Sequence, residues 1–313
     1  EAFLALSGKN LCERYVLKTD INLSGIDWSP AGVFGEFDGG GHTIAGFGIN
    51  AVTDQGNERI AGFFSNNYGT ICNLVLQDMS QMIYTTGPDD GSIPTVYAGG
   101  IAAKNYGTIY ACKTTGKITV QAVNCHVYVG GIAGWNQGSI FSSYTECTLT
   151  GVAGEGERNT YSARGIIRLG GIVNACVNGI AYNDGGVISG CYTKGVYTAN
   201  GTRYLSVAGV AENAERSFSL ADLNYRDIGA KQGAKIGYVC EVAKGLQGCA
   251  SQEINGVAST TGIQEDFLKD SRYLTDVVGI RLYLSQEALA QDFEAAWVFA
   301  DDGDVFLKLY FEA

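Results

Sequence analysis

The chain has 313 residues, of which 46% are hydrophobic and 17% are charged, and its net charge at pH 7 is −11. The low charged fraction excludes a disordered chain. The acidic balance and the lack of clustered Lys and Arg exclude a nucleic-acid or anionic-membrane surface. No stretch of 18 apolar residues occurs, so we expect no membrane insertion.

Residues 1–33 are predicted to form an N-terminal cap. The apolar residues at 2–6 favour a short helix, and residues 15–23, YVLKTDINL, favour a strand. Residues 28–44 are predicted to begin the first coil of a repeat array. A cap is expected because the open end of such an array exposes its core and unpaired strand edges.

Residues 34–262 contain five copies of a small-residue pair followed by an aliphatic or aromatic residue. The second small residues are separated by 38, 31, 40 and 38 positions, and they are Gly62, Gly100, Gly131, Gly171 and Gly209. The residues that follow them are Phe63, Ile101, Ile132, Ile172 and Val210. Self-similarity at this period is typical of solenoids and related arrays.

The first three repeats continue into a shared turn, Asn-x-Gly-x-Ile. Its columns are Asn67, Asn105 and Asn136, then Gly69, Gly107 and Gly138, then Ile71, Ile109 and Ile140. Short β-branched segments bounded by Gly and Asn predict strands. Strands joined at a constant spacing without helices predict an all-β, right-handed parallel β-helix in which equivalent side chains stack.

The turn has an expected mechanism. Asn and Gly tolerate positive φ, which a sharp corner demands, and stacked Asn side chains can form a hydrogen-bonded ladder. The fourth repeat fits the turn only if 175–183 bulges as a loop, and the fifth lacks the turn, which predicts that the rod ends there. Longer loops are predicted at 77–96 and 152–164, where binding residues often concentrate.

Nine cysteines are present. Cys112, Ser143 and Cys191 each follow a column Ile by three residues, which predicts small buried side chains in an inward stack. The sequence has no CxxC motif and only two histidines, so it lacks the ligand spacing expected of a metal site. Disulfides between Cys125 and Cys147, or between Cys240 and Cys249, stay open as alternatives.

Residues 263–313 form a predicted C-terminal capping segment of α+β type. We expect a helix over 263–278, a second helix capped by Ser285, and a hairpin formed by 297–299 and 305–307 that lies over the last coil. The hairpin tip carries clustered carboxylates, which favours a solvated turn and leaves a calcium site as the alternative; these residues are Asp301, Asp302 and Asp304.

The segment YVLKTDINLSGIDWSPAGVFGEFDGGGHTIAGFGI, which begins at Tyr15, precedes the repeats, and AWVFADDGDVFLKLY lies near the end. Together these features resemble the GLUG-motif β-helix proteins of bacterial surfaces, including non-catalytic parts of IgA1-protease-like proteins and adhesins. The resemblance covers nearly the whole chain and implies an exported cell-surface module. It carries no catalytic residues and no cofactor.

The candidate binding residues are aromatic side chains at or beside the Asn turn in successive coils: Tyr68, Tyr106 and Trp135. We expect such a ridge to bind a host glycan or protein, with the chain a monomer or part of a larger protein. His42 and Asp38 could form an acid–base pair, although a glycine turn explains both residues. No Ser or Cys lies in a recognisable nucleophile elbow, and no HExxH motif occurs. A carbohydrate-active enzyme and a purely structural stalk are the alternatives.

Overall fold

The computed structural model describes residues 2–88, 92–154, 174–178, 180, 182–201, 204–208, 210–211, 214–227, 234–237, 250–252, 262–263, 275–276, 280–299 and 307–312. These residues are nearly all β. Their strands pair in parallel from coil to coil and stack as a solenoid, which confirms the predicted fold class.

Each complete coil adds one strand to each of four sheets. The first sheet contains β1 Asn10–Leu11, β4 Ala31–Val33, β10 Phe64–Asn67, β14 Ala102–Asn105, β18 Ala133–Asn136 and β22 Tyr182–Asn183. The second contains β2 Arg14–Val16, β5 Glu36–Asp38, β11 Thr70–Cys72, β15 Thr108–Tyr110, β19 Ser139–Phe141 and β23 Val187–Ser189.

The other two sheets complete the coil. The third contains β3 Ile21–Asn22, β6 Thr43–Ala45, β7 Gly48–Ile49, β12 Val75–Thr86, β16 Lys113–Val123, β20 Tyr144–Gly154, β24 Tyr192–Gly201, β26 Phe218–Asp227, β28 Ala250–Gln252 and β29 Gly262–Ile263. The fourth contains β8 Thr53–Gln55, β9 Glu58–Ala61, β13 Thr95–Gly99, β17 His126–Gly130, β21 Asn174–Asn178, β25 Tyr204–Ala208 and β27 Ala234–Gly237. Only β8 joins its sheet antiparallel among these described strands.

The repeated isoleucines form the core as predicted. Ile71, Ile109 and Ile140 are register partners in adjacent strands, and all three are fully buried. The neighbouring column is also buried, because Ile101 N–H donates to Ile132 O at 2.9 Å and both side chains have no exposed surface. Burying such a side chain contributes about 1.5–3 kcal/mol, so each of these columns stabilises the stacking of the coils.

The predicted register of the fourth repeat is wrong. Ile132 N–H donates to Ile180 O, not to a group near Ile172, and Gly130 pairs with Asn178. The predicted loop at 175–183 is therefore occupied by β21 and β22. Gly171 and Ile172 lie outside the described residues. The sequence register followed the Gly-Gly-Ile motif at 170–172. That motif lies eight positions before residues 178–180, which occupy the anchor position in the structure.

Two further sequence predictions about loops need correction. Much of the predicted loop 77–96 is strand, since β12 extends to Thr86 and β13 begins at Thr95. The start of the predicted loop 152–164 is also strand, because β20 ends at Gly154, and the rest lies outside the described residues. The rod does not end at the fifth repeat, since β27 pairs with β25 and β28 pairs with β26 beyond it, both in parallel.

The asparagine ladder is present, and its side chains are buried. Asn67 Nδ2 donates to Asn105 Oδ1 at 2.7 Å, and Asn105 Nδ2 donates to Asn136 Oδ1 at 2.7 Å. Asn136 Nδ2 continues the chain to Asn183 Oδ1 at 2.8 Å. Each amide therefore satisfies its neighbour, as buried polar groups require.

The predicted reason for the Asn-x-Gly turn is wrong. None of the column Asn and Gly residues in these turns has a positive φ. Glycine is needed because the coils approach closely: a Cβ on Gly107 would lie 2.1 Å from Gly69 O. The left-handed corner instead follows the second sheet, with one residue in each of five successive coils: Asn73, Ala111, Ser142, Gly190 and Arg216.

The predicted inward stack of small side chains is also present. Cys112, Ser143 and Cys191 are fully buried. Cys125 and Cys147 are both buried thiols and form no disulfide with each other. The alternative pair, Cys240 with Cys249, lies outside the described residues.

Both termini contain the small elements expected of them. A 3-10 helix spans Leu4–Leu6. Helix α1 spans Gln286–Gln291, and Ser285 Oγ caps it by accepting from Ala288 N–H at 3.2 Å. The predicted helix at 263–278 and the three aspartates of the hairpin tip lie outside the described residues, apart from 263 and 275–276. The edge strands β1, β2 and β3 lie within the segment predicted as the N-terminal cap.

The C-terminal hairpin forms, and the segment that carries it contacts, among the described residues, corner residues of several coils, whereas the sequence prediction placed it over the last coil. β30 Trp297–Phe299 pairs antiparallel with β31 Leu307–Leu309. Residues 280–299 and 307–312, here called the C-terminal strap, lie along the side of the solenoid against the left-handed corner. Their anchors reach coils far apart in sequence: Tyr310 Oη to Asn73 Oδ1 at 3.1 Å, Ser142 Oγ to Glu294 O at 2.6 Å, Trp297 Nε1 to Gly190 O at 2.7 Å, and Arg216 to Glu294 at 2.6 and 2.7 Å.

Candidate binding site on the outer wall

Four aromatic side chains from successive coils form a continuous row on the outside of the solenoid. The row consists of Phe34, Tyr68, Tyr106 and Trp135. Adjacent ring centroids are separated by 5.0, 4.7 and 5.1 Å. Phe34 and Tyr68 are each 48% exposed. The structure thus brings together the three predicted residues and adds Phe34, which the sequence reasoning missed.

The rings in this aromatic row do not present one flat surface. Tyr68 and Tyr106 are parallel within 6° and Phe34 stacks on Tyr68 at 23°, so these rings cover one another's faces. Trp135 is turned by 66° relative to Tyr106, and Tyr97 from the fourth sheet meets it at 60°. The row therefore ends in a corner of three differently oriented rings.

Lys104 lies within this corner. Its Nζ is 5.0 Å from the ring centroids of Tyr97 and Trp135 and 5.4 Å from that of Tyr106. The same nitrogen donates to both carboxylate oxygens of Glu58, at 2.8 and 3.0 Å. The side chain of Lys104 is 8% exposed and that of Glu58 is 37% exposed. Glu58 and Lys104 are called the polar floor of the site.

The ionisation of the polar floor follows from these contacts. Burial lowers the pKa of Lys104, but the bonds with Glu58 and Tyr106 outweigh it, so the pKa is raised above its ordinary value. Burial raises the pKa of Tyr97, which keeps that hydroxyl neutral. The floor is therefore an ion pair with no net charge, surrounded by rings that attract the cation.

Sequence signals existed for some of the missed residues. Phe34 precedes Gly35 just as Tyr68 precedes Gly69, so an extension of the repeat to the first coil would have found it. Lys104 and Trp135 are register partners in β14 and β18, which places them in one column. Glu58 and Tyr97 come from the fourth sheet, and no spacing in the sequence indicates that they meet Lys104.

The proposed pair of His42 with Asp38 does not form. His42 Nδ1 lies 3.2 Å from Asp20 Oδ1, and Asp38 Oδ1 instead accepts from Gly40 N–H at 2.9 Å and from Asn73 Nδ2 at 3.0 Å. Asp38 therefore stabilises the glycine turn, as the structural explanation of this motif requires.

One pair of carboxylates has the spacing expected of a glycosidase. The ligand atoms of Glu36, Asp38 and Cys72 all lie within 4.8 Å of one another, close to the separation of about 5 Å in retaining enzymes. Arg14 bridges the two carboxylates at 3.0 and 3.1 Å. Burial raises the pKa of the Cys72 thiol to about 12, so it stays protonated and is a poor metal ligand. The contacts describe a structural ion pair.

No described helix has the length and apolar character required to cross a membrane.

The comparisons with known proteins bear on the fold. No protein-family model matches the sequence, and no curated protein matches it. Among solved structures, the chain is similar to a crystal structure of a "putative immunoglobulin A1 protease" from Bacteroides ovatus, with a TM-score of 0.55 and 16% sequence identity. The similarity covers 97% of this chain and 87% of that one. At this level of identity it supports the shared solenoid architecture.

Proposed function

We propose that this chain is a non-catalytic solenoid module of an exported bacterial surface protein and that its outer wall binds carbohydrate. The similarity to a Bacteroides protein described as an immunoglobulin A1 protease favours the surface setting. The candidate acid–base groups are held in structural contacts, since Arg14 bridges Glu36 and Asp38 and His42 lies beside Asp20, and this favours binding over catalysis. The solenoid would hold the binding surface rigid, as scaffolds of this kind do.

The observation that carries the proposal is the exposed aromatic row. Large rings are most stable in the interior, where each buries about 150–250 Å², yet Phe34 and Tyr68 are about half exposed. Stacking between coils explains the contacts among the rings. It does not explain a contiguous aromatic surface beside a polar floor, and such patches mark interaction sites. The apolar C–H faces of a sugar can pack on the aromatic rings, and its hydroxyl groups can donate to the carboxylate of Glu58.

The proposal is tested on a glycan array, with hits measured in solution by titration calorimetry. The variant Tyr68→Ala should weaken binding at least about tenfold, or 1.4 kcal/mol. Tyr84→Ala is the matched control, since Tyr84 is 60% exposed on β12, outside the row. Unchanged binding by Tyr68→Ala, or equal loss in the control, would contradict the proposal. An absence of any glycan ligand would favour the structural stalk.

A further inference from the structure

The ammonium group of Lys104, at the aromatic corner, is neutralised by Glu58. Both close bonds from Lys104 Nζ go to Glu58, and three rings surround the nitrogen. A side chain that is 8% exposed and already bonded to a carboxylate has little capacity to attract a second anion. Lys104 is therefore not a receptor for acidic ligands in this arrangement.

Glu58 retains the capacity to bind a ligand. Its side chain is 37% exposed, and a carboxylate has about four acceptor positions, of which Lys104 uses two. The remaining positions can accept from hydroxyl groups. Because the buried Lys104 bonds both oxygens of this carboxylate, its remaining acceptor positions can receive two adjacent hydroxyls of one sugar ring.

Basic side chains elsewhere on the chain do not compensate for the lack of an available cation at this corner. Other basic side chains bind acidic partners away from this corner, among them Arg14 with Glu36, Lys113 with Glu312 and Arg216 with Glu294. The chain carries a net charge of −11. An acidic sugar would approach a negative protein and a carboxylate at the site, and like charges in contact are unfavourable.

We propose that the aromatic corner of Tyr97, Tyr106 and Trp135, with Glu58 as hydroxyl acceptor, selects uncharged sugars and rejects sialylated, sulfated and uronic-acid glycans. This inference rests on the carbohydrate-binding function proposed above. Trp135 and Tyr97 supply apolar ring contacts, and Glu58 supplies the polar contact. Lys104 is a positioning residue, because its two hydrogen bonds hold the Glu58 carboxylate in place.

The experiment uses glycan pairs that differ only by one acidic group, titrated against the full chain. The neutral member of each pair should bind at least about tenfold more tightly, which corresponds to 1.4 kcal/mol. Its affinity should change less than about twofold when the salt concentration is raised, because no ion pair forms with the ligand. A preference for the acidic members, or a steep loss of affinity in salt, overturns the inference and leaves the proposed function standing. No binding to any glycan overturns both.

The variant Glu58→Gln gives a sharper readout. It leaves an acceptor for Lys104 but frees its positive charge, so the neutral-to-acidic preference should shrink about tenfold. Asp54→Asn is the control: Asp54 lies on the adjacent β8, and its removal changes the net charge equally without touching Lys104. An equal change in both variants overturns the role of Glu58. Thermal melting establishes that each variant is folded, and the glycan pairs on the unaltered chain decide the matter if Glu58→Gln unfolds.

Discussion

Replacing Asn105 by Ala would break the ladder at its middle. Asn105 Nδ2 donates to Asn136 Oδ1 at 2.7 Å, and Asn105 Oδ1 accepts from Asn67 Nδ2 at 2.7 Å. Asn67 Nδ2 keeps a second acceptor, Thr108 O at 3.2 Å. Asn136 Oδ1 loses its donor from Asn105 in a fully buried position. The perturbation therefore leaves one buried acceptor unsatisfied. It removes the two hydrogen bonds to neighbouring amides and two longer ones, at 3.2 Å, to Gly107 O and Ser139 O.

The magnitude follows from those losses. An unsatisfied buried acceptor costs about 1–3 kcal/mol, and each lost bond costs about 0.5–1.5 kcal/mol. We expect Asn105→Ala to reduce the free energy of unfolding by about 3 kcal/mol. The assay is urea denaturation followed by circular dichroism. Gln137→Ala is the control, because its exposed side chain makes only a 3.4 Å contact with Asp184, and it should change stability by less than about 0.5 kcal/mol.

A second substitution separates hydrogen bonding from packing. Asn105→Asp keeps the size of the side chain but cannot donate to Asn136 when ionised, and burial of the charge adds a further penalty. We expect it to destabilise at least as much as Asn105→Ala. A loss below about 0.5 kcal/mol for either variant would refute the reasoning, since it would mean that the buried amides do not depend on one another.

Three further predictions concern the coil geometry, the C-terminal strap and the thiols. Gly107→Ala should destabilise by about 1–3 kcal/mol through the clash with the preceding coil. The loss should exceed that of Gly48→Ala, whose Cβ would meet only Ser80 O at 3.5 Å; equal melting temperatures would contradict this. Trp297→Ala should cost about 3–5 kcal/mol in denaturation because the ring is fully buried; a loss under 1 kcal/mol would contradict the strap's anchoring. Burial raises the pKa of Cys191 to about 12. Iodoacetamide labelling of the native protein at pH 8, mapped by mass spectrometry, should therefore modify the exposed Cys12 and spare Cys191. Labelling of both residues would contradict the burial of Cys191.

Much of the fold could be predicted because equivalent positions in successive coils have the same environment and therefore carry similar residues. The column of Ile71, Ile109 and Ile140 could be read directly, since buried positions in stacked strands demand similar side chains. The asparagine ladder was predictable for the same reason. The fourth coil was not, because its anchor is Asn178 and Ile180 in place of a Gly-Gly-Ile motif, and a closer match to the motif lies earlier in the chain.

The candidate site was only partly predictable. Tyr68 and Tyr106 occupy one column, so their contact follows from the period. Glu58 meets Lys104 through a different sheet, which depends on where the chain turns between β9 and β10. The position of the C-terminal strap was also beyond the sequence pattern, because Trp297 binds Gly190 across 107 residues and no periodicity relates them.

The most direct test of the account is a crystal structure of the chain with the neutral oligosaccharide that binds it most tightly. The account predicts a sugar ring in contact with Trp135, with a hydroxyl oxygen about 2.5–3.0 Å from a Glu58 carboxylate oxygen. A sugar bound on another face of the solenoid, or at the Glu36–Asp38 pair, would contradict it.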